Sequence, residues 1–203
     1  MAQTPPIGTL NEERWVAVLQ AAGDLFREKG YSATSLDELA VRVGILKGSL
    51  YYYARNKEDL LFELLRRSHE KGLRLCEEHD PALRTSSASI RLAAFIERWM
   101  CGIDYRTYHY TGIGLSEVRF LSESRHLEIA GMQKQLTSYV TNIVRQGIAE
   151  RSFDSTVRPT LVTSSLFSLL NTTHVWFDAD NMAWSEISAW YADLFLRRLR
   201  IVA

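Results

Sequence analysis

The chain has 203 residues, and its 24 lysines and arginines balance 24 aspartates and glutamates, for a formal net charge of zero. Hydrophobic residues make up 46% and charged residues 24%, a globular balance that excludes a disordered chain, and a neutral chain cannot coat nucleic acid by bulk charge, so any such binding must come from a local patch. Two cysteines, Cys76 and Cys101, are too few for a disulfide framework or a four-thiolate zinc site. The length suits one large domain or two small ones. No apolar run approaches the roughly 18–20 residues a membrane span needs, and the first residues carry no apolar core behind a basic start. The expectation is a soluble cytoplasmic protein with no membrane partner.

Only four prolines occur, Pro5, Pro6, Pro81 and Pro159, which leaves 7–80 and 82–158 free of them. An interior proline costs a helix about 3 kcal/mol. With no hairpin dipeptide either, the chain reads as all-α. The first helix is predicted from Asn11, an N-cap, to Gly30, a C′ glycine, with Val18, Ala22, Leu25 and Phe26 at helical spacing. Ser35 and Glu38 form a capping box opening a short helix through Val43. Gly44 turns the chain, and a second short helix covers Leu46 to Tyr53. Asn56 caps a longer helix that carries Leu60, Leu61, Leu64, Leu65 and Leu75 and ends before Pro81. Ile90, Ala94 and Ile96 mark a helix to Gly102, and Tyr105 to Phe120 is expected to hold one broken or short helix. Ile129 to Ile148 lie in a long helix from Ser124 to Arg151. Helices at 159–177 and 183–201, separated by the Asp178–Asn181 break, complete the pattern.

The informative stretch is 18–61. Two short helices flank Gly44, as a helix-turn-helix requires: the first braces the second, and glycine turns the chain where a Cβ would obstruct. The second must offer small or polar side chains to base edges at its N-terminal end. Lys47, Gly48 and Ser49 meet that need. Between Leu39 and Arg55 lie Arg42, Lys47 and Arg55 without an acid, which makes a local cationic strip in a neutral chain.

These residues resemble the TetR-type transcriptional regulators of bacteria. The likeness runs through Ala21-Ala22, Leu25-Phe26, Gly30-Tyr31, Thr34, Ala40, Gly44, Gly48-Ser49-Leu50-Tyr51 and Lys57-Glu58 to Leu60-Leu61. It implies a nine-helix architecture: a helix-turn-helix DNA-binding domain over 1–56, and an effector-binding and dimerisation domain over 57–203. Where many members place an aromatic residue before His-Phe, this chain has Tyr52-Tyr53-Ala54, so the histidine's phosphate contact falls to the Tyr53 hydroxyl or is absent. The expected DNA-binding residues are Thr34, Ser35, Lys47, Gly48, Ser49, Tyr51, Tyr52, Tyr53 and Lys57. Successive helical residues point about 100° apart, so three consecutive tyrosines cannot all face one core, and Tyr52 is placed on the DNA backbone. Lys57, beside the Asn56 cap, is placed on a phosphate. Thr34 and Ser35 can equally serve only to cap a helix.

Residues 159–201 are apolar around more than one face, with Trp176, Trp184, Trp190, Phe167, Leu194 and Phe195. That exceeds what one core stripe needs and suits a homodimer built from two helices of each subunit. A small apolar effector is expected to meet Trp99, Tyr105, Tyr108, His109, Phe120, Met132, Phe167, Asn171 and His174, an aromatic lining with a few polar groups. His69, Cys76, Glu77 and His79 lack a second cluster at ligand spacing, so no metal is assigned. No cofactor is implied, since neither a phosphate-cradling glycine loop nor a GxSxG elbow occurs. The chain therefore reads as a ligand-responsive repressor of a palindromic double-stranded DNA operator. An all-α enzyme or carrier with a helix-turn-helix-like start, and an architectural DNA-binding protein that senses nothing, are the alternatives.

Overall fold

The computed structural model describes residues 12–77, 83, 85–102, 117–177 and 181–200. Among them every regular element is helical: α1 (Glu12–Lys29), α2 (Leu36–Val43), α3 (Lys47–Leu50), α4 (Lys57–Glu77), α5 (Ala88–Gly102), a 3₁₀ turn (Val118–Phe120), α6 (Glu123–Ala149), α7 (Pro159–Trp176) and α8 (Trp184–Leu199). The nine-helix expectation thus meets eight α-helices and one 3₁₀ turn among the described residues. Two compact units divide the chain, one drawn from Met1–Ser68 and His109–Ile129, the other from His69–Tyr108 and Ala130–Ala203. Neither is continuous in sequence, and none of the three boundaries falls at the residue 56/57 junction expected from the resemblance.

In the first unit, α1 turns Trp15, Val18, Leu19, Ala22, Leu25 and Phe26 inward, and α4 adds Leu60, Leu61, Leu64 and Leu65 to the buried set. Gly30 ends α1 at φ +84°, a conformation open to glycine. Ser35 caps α2 by accepting from the Glu38 N–H. At its other end Gly44 adopts φ +71°, and the Gly44 and Ile45 N–H groups donate to the Val41 and Ala40 carbonyls. Instead of the helix expected from Leu46 to Tyr53, one α-turn runs from Lys47 to Leu50. It then tightens, with Tyr52 N–H donating to Ser49 O at 3.3 Å and Tyr53 N–H to Leu50 O at 2.9 Å.

In the second unit, Leu92, Phe95, Ile96, Trp99 and Met100 of α5 pack with Val140, Ile143 and Val144 of α6, Leu166 and Leu170 of α7, and Ile187, Tyr191 and Phe195 of α8. Two hydroxyl pairs are buried within this apolar cluster's helices, Thr141 with Thr163 at 2.9 Å and Thr173 with Tyr191 at 3.0 Å. Phe153, just beyond α6, lies over Gly147. A Cβ at Gly147 would sit 2.5 Å from Phe153 Cε2 and 2.9 Å from Ala88 Cβ, whereas one at Gly131 meets nothing within 4 Å. Gly147→Ala is therefore expected to destabilise the protein by about 1–3 kcal/mol through overpacking. Gly131→Ala should stabilise it by about 1 kcal/mol through helix propensity. Urea unfolding of both variants measures the contrast.

Candidate nucleic-acid interface

Leu50 and Ala54, each 1% exposed, anchor the second helix of the pair into the first unit's core. Lys47, Gly48, Tyr51 and Tyr52 are left outside, and Tyr52 is 70% exposed. Tyr53 is half-buried, its ring nearly parallel to Trp15 with centroids 6.1 Å apart. Arg14, Gly44, Ile45, Leu46, Ser49, Tyr52 and Tyr53 line a shallow concavity of about 490 Å³. A Cβ at Gly48 would meet nothing within 4 Å, so no packing inside the chain requires glycine there.

Two cations of this surface are already paired. Lys47 lies 2.7 Å from Asp37, and Arg42 grips Glu28 with bonds of 2.8 and 3.1 Å. The Arg42 bond holds the Glu28 carboxyl below the usual carboxylate range, and Asp37 raises the Lys47 ammonium above the usual lysine value. Exposed pairs of this kind contribute about 0–1 kcal/mol, so phosphate oxygens can replace the carboxylates at small cost.

Lys57, the first residue of α4, points the other way. Its ammonium donates to the carbonyls of Tyr31 at 2.5 Å, Thr34 at 2.9 Å and Ser32 at 3.2 Å, and it lies 4.3 Å from the centre of the Tyr31 ring. Burial pulls its pKa below the ordinary lysine value, against the attraction of Glu117. At the same helix end, Asn56 Oδ1 accepts from the Asp59 N–H and Asp59 Oδ2 accepts from the Arg55 N–H, both at 2.9 Å, a reciprocal cap. Arg125 of α6 bonds the second Asp59 oxygen and lies 3.3 Å from Glu58. The Ser122 N–H donates to Glu58 at 2.9 Å, and Phe120 stacks on Tyr31 at 4.8 Å.

In the second unit, Trp99 is 3% exposed. It meets Phe95 at 5.6 Å and, edge-on, Phe167 at 5.2 Å, while Phe95 also meets Tyr139 at 5.8 Å. The Trp99 ring lies over Gly72, where a Cβ would come within 3.0 Å of it. Trp99 Nε1 and Asn171 Oδ1 are buried without a hydrogen-bond partner.

Two family models match the chain: bacterial regulatory proteins of the tetR family over residues 18–64, and the tetracyclin repressor-like C-terminal domain over 85–199, more than half of the length. The chain belongs to the TetR family. It is similar to the HTH-type transcriptional repressor KstR2 of Mycobacterium tuberculosis, 28% identical over 149 residues that span 72% of either chain. Among solved structures, PfmR from Thermus thermophilus is 28% identical at a TM-score of 0.78, covering 91% of this chain and 99% of that one. AibR, solved with isovaleryl coenzyme A and operator DNA, shares the fold at a TM-score of 0.74 and 22% identity, over 89% of this chain and 97% of that one. TetR-family members are transcriptional regulators and not enzymes, which leaves the enzyme or carrier reading without support.

Within this TetR-type head several expectations need correction. Thr34, placed at DNA from sequence, is 4% exposed and donates its hydroxyl to the Gly30 carbonyl at 3.0 Å and the Leu25 carbonyl at 3.3 Å. Ser35 is exposed and forms the expected α2 cap, which leaves its DNA contact neither required nor excluded. Lys57, placed on a phosphate, has its three N–H groups matched by three backbone carbonyls. Phe120, placed in the effector lining, stacks in the first unit, while Trp99, Phe167 and Asn171 fall in the second. Met132 is half-buried in α6. Tyr105, Tyr108, His109 and the His174 side chain lie outside the described residues. Sequence reasoning missed Arg125, Glu58 and Ser122. Arg125 sits among Glu123, His126 and Glu128, a run that reads as a solvated helix face.

The Ser122 N–H, and behind it Arg125, hold the Glu58 carboxyl below its ordinary 4.5 despite partial burial. A depressed carboxyl adds stability that is fully present above that value and is lost as pH falls through its folded pKa. Glu58→Gln should therefore be less stable than the native chain at pH 7, and the gap should close below about pH 4.5. Thermal melts across that range test it.

Proposed function

We propose that this TetR-family chain is a repressor that binds a palindromic operator as a homodimer and changes its operator affinity when a small apolar effector fills the C-terminal region. The observation that carries the DNA reading is the Lys47–Tyr52 turn. Its core-facing residues are fixed, its Gly48 is required by nothing inside the chain, and its Tyr52 is exposed. Lys47, Gly48 and Ser49 approach base edges, while Tyr51, Tyr52 and the Tyr53 hydroxyl meet phosphates. Residues 1–56 carry this contact, positioned by residues 57–68 and 117–125, and 57–203 senses the effector and dimerises. The site of action is the bacterial cytoplasm; none of the described helices is long and apolar enough to cross a membrane.

Dimerisation through 159–201 is supported by what α7 and α8 leave uncovered: Leu161, Val175, Trp176, Trp190 at 61% exposure, and Leu194. Leu161 and Leu194 also line an apolar concavity of about 470 Å³ rimmed by Arg158 and Arg198. Twofold symmetry lets two recognition turns address operator half-sites about 34–36 Å apart. Trp190→Glu should convert the dimer to monomer in sedimentation and, with it, weaken operator binding steeply.

For the effector, the aromatic cluster of Trp99, Phe95 and Phe167 favours an apolar body. The unpartnered indole N–H of Trp99 and amide oxygen of Asn171 favour a carbonyl or hydroxyl on it. The acyl thioester held by AibR is one such chemistry. Effector coupling of about 1–3 kcal/mol would shift operator affinity roughly 5–150-fold. Operator titrations with short acyl thioesters and apolar ketones, on the native chain and on Trp99→Phe, are the test. A ligand that binds without moving operator affinity would overturn the regulatory reading.

The DNA reading has its own test. Gly48→Ala should leave the melting temperature unchanged or raised yet weaken operator binding by tenfold or more, on the order of 1.4 kcal/mol. Operator affinity unchanged from the native chain in both Gly48→Ala and Lys47→Ala would remove this surface from the interface.

A further inference from the structure

Leu46 occupies the N-cap of α3, where Ser, Thr, Asp or Asn ordinarily serves. It makes no side-chain cap bond, and 80% of it is exposed. Neither capping nor the core therefore uses this side chain. It borders the concavity it shares with Ser49 and Tyr52. No carboxylate occurs from Leu39 through Lys57, and Arg42, Lys47 and Arg55 flank the position in sequence. The Asp37 and Glu28 partners of two of these cations sit in exposed pairs that phosphate can displace. An apolar tip that shares its concavity with Arg14 and is flanked in sequence by three more cations is poorly matched to water and well matched to a major groove, where thymine alone presents a methyl group.

We propose that Leu46 reads a thymine 5-methyl group in each operator half-site, and so sets sequence preference where Lys47 and Ser49 set hydrogen bonds. This rests on the DNA-binding reading above. A polar N-cap would hold the helix end better but would leave that methyl unmatched. The leucine body excludes water from the methyl without selecting among hydrogen-bonding base edges, so its contribution is sequence preference and not register. Register stays with the phosphate contacts of the tyrosines.

The test uses the full chain to select duplexes from a randomised library. Thymines of a selected duplex are then replaced singly by 2′-deoxyuridine, which keeps base pairing and removes only the methyl. The native chain should lose about fourfold in affinity at one thymine per half-site, the loss expected for one buried methyl. Leu46→Ala and Leu46→Gln should bind the thymine and deoxyuridine forms of that position equally and keep the native salt dependence. Because Leu46 is exposed, both variants should melt with the native chain, which separates lost reading from lost folding. The proposal is overturned if no thymine methyl matters to the native chain, or if both variants keep its penalty. If no duplex is enriched at all, the DNA-binding reading itself fails, an outcome distinct from either.

Discussion

The carbonyl oxygens of Tyr31, Ser32 and Thr34 turn inward just after α1 ends, and the Lys57 ammonium is where they converge. Backbone carbonyls partly withdrawn from water need donors, and three at one point are met by a group that supplies three N–H bonds in adjustable directions. A lysine at the start of α4 does this, with the Tyr31 ring beneath its charge. The α1–α2 corner is thereby tied to α4, and the Thr34 hydroxyl ties the same corner back to the end of α1. Since Ser35 begins α2 and Gly44 turns α2 into α3, the orientation of α3 descends from this half-buried ammonium. The lysine therefore acts through the shape it imposes, with its charge spent internally.

A second layer of polar contacts rests on the first. Asp59 accepts from the Arg55 backbone with one oxygen and bonds Arg125 with the other, so a single carboxylate both caps α4 and binds the start of α6. Burial works against the Arg125 guanidinium, yet Asp59 and Glu58 together hold its pKa above the usual arginine value. In the second unit the balance is reversed. Apolar packing dominates there, and three buried polar atoms among the described residues, Arg91 Nε, Trp99 Nε1 and Asn171 Oδ1, have no hydrogen-bond partner.

The helices were legible because their signals are local. Gly30 and Gly44 both take the left-handed backbone conformation that their positions after apolar runs predict, and the Ser35 cap forms as its spacing to Glu38 requires. The all-α class and the family followed from the same short-range patterns. What sequence could not supply was direction. Lys57 beside a helix N-terminus looks the same whether its ammonium faces a phosphate or three carbonyls, and only the fold of residues 31–34 decides between them. Phe120 looked like an effector contact because it follows an aromatic stretch, but a partner 89 positions away in the chain, Tyr31, claims it. Arg125 was hidden for the same reason: its partners lie 66 and 67 residues earlier.

The contacts of residues 117–125 bear on how such regulators can be recombined. The recognition turn is only four residues of α-helix, and the family model for the head ends at residue 64. Yet Phe120, Ser122 and Arg125 complete the same packing unit from much farther along the chain. A head grafted onto another family member's sensing domain at residue 64 would exchange those three groups for whatever the host carries. It would arrive with Glu58 and Asp59 facing new neighbours. The transferable piece is thus discontinuous, the head together with 117–125, and the heads that can be traded freely are those whose hosts already offer an aromatic ring and a guanidinium at the matching places.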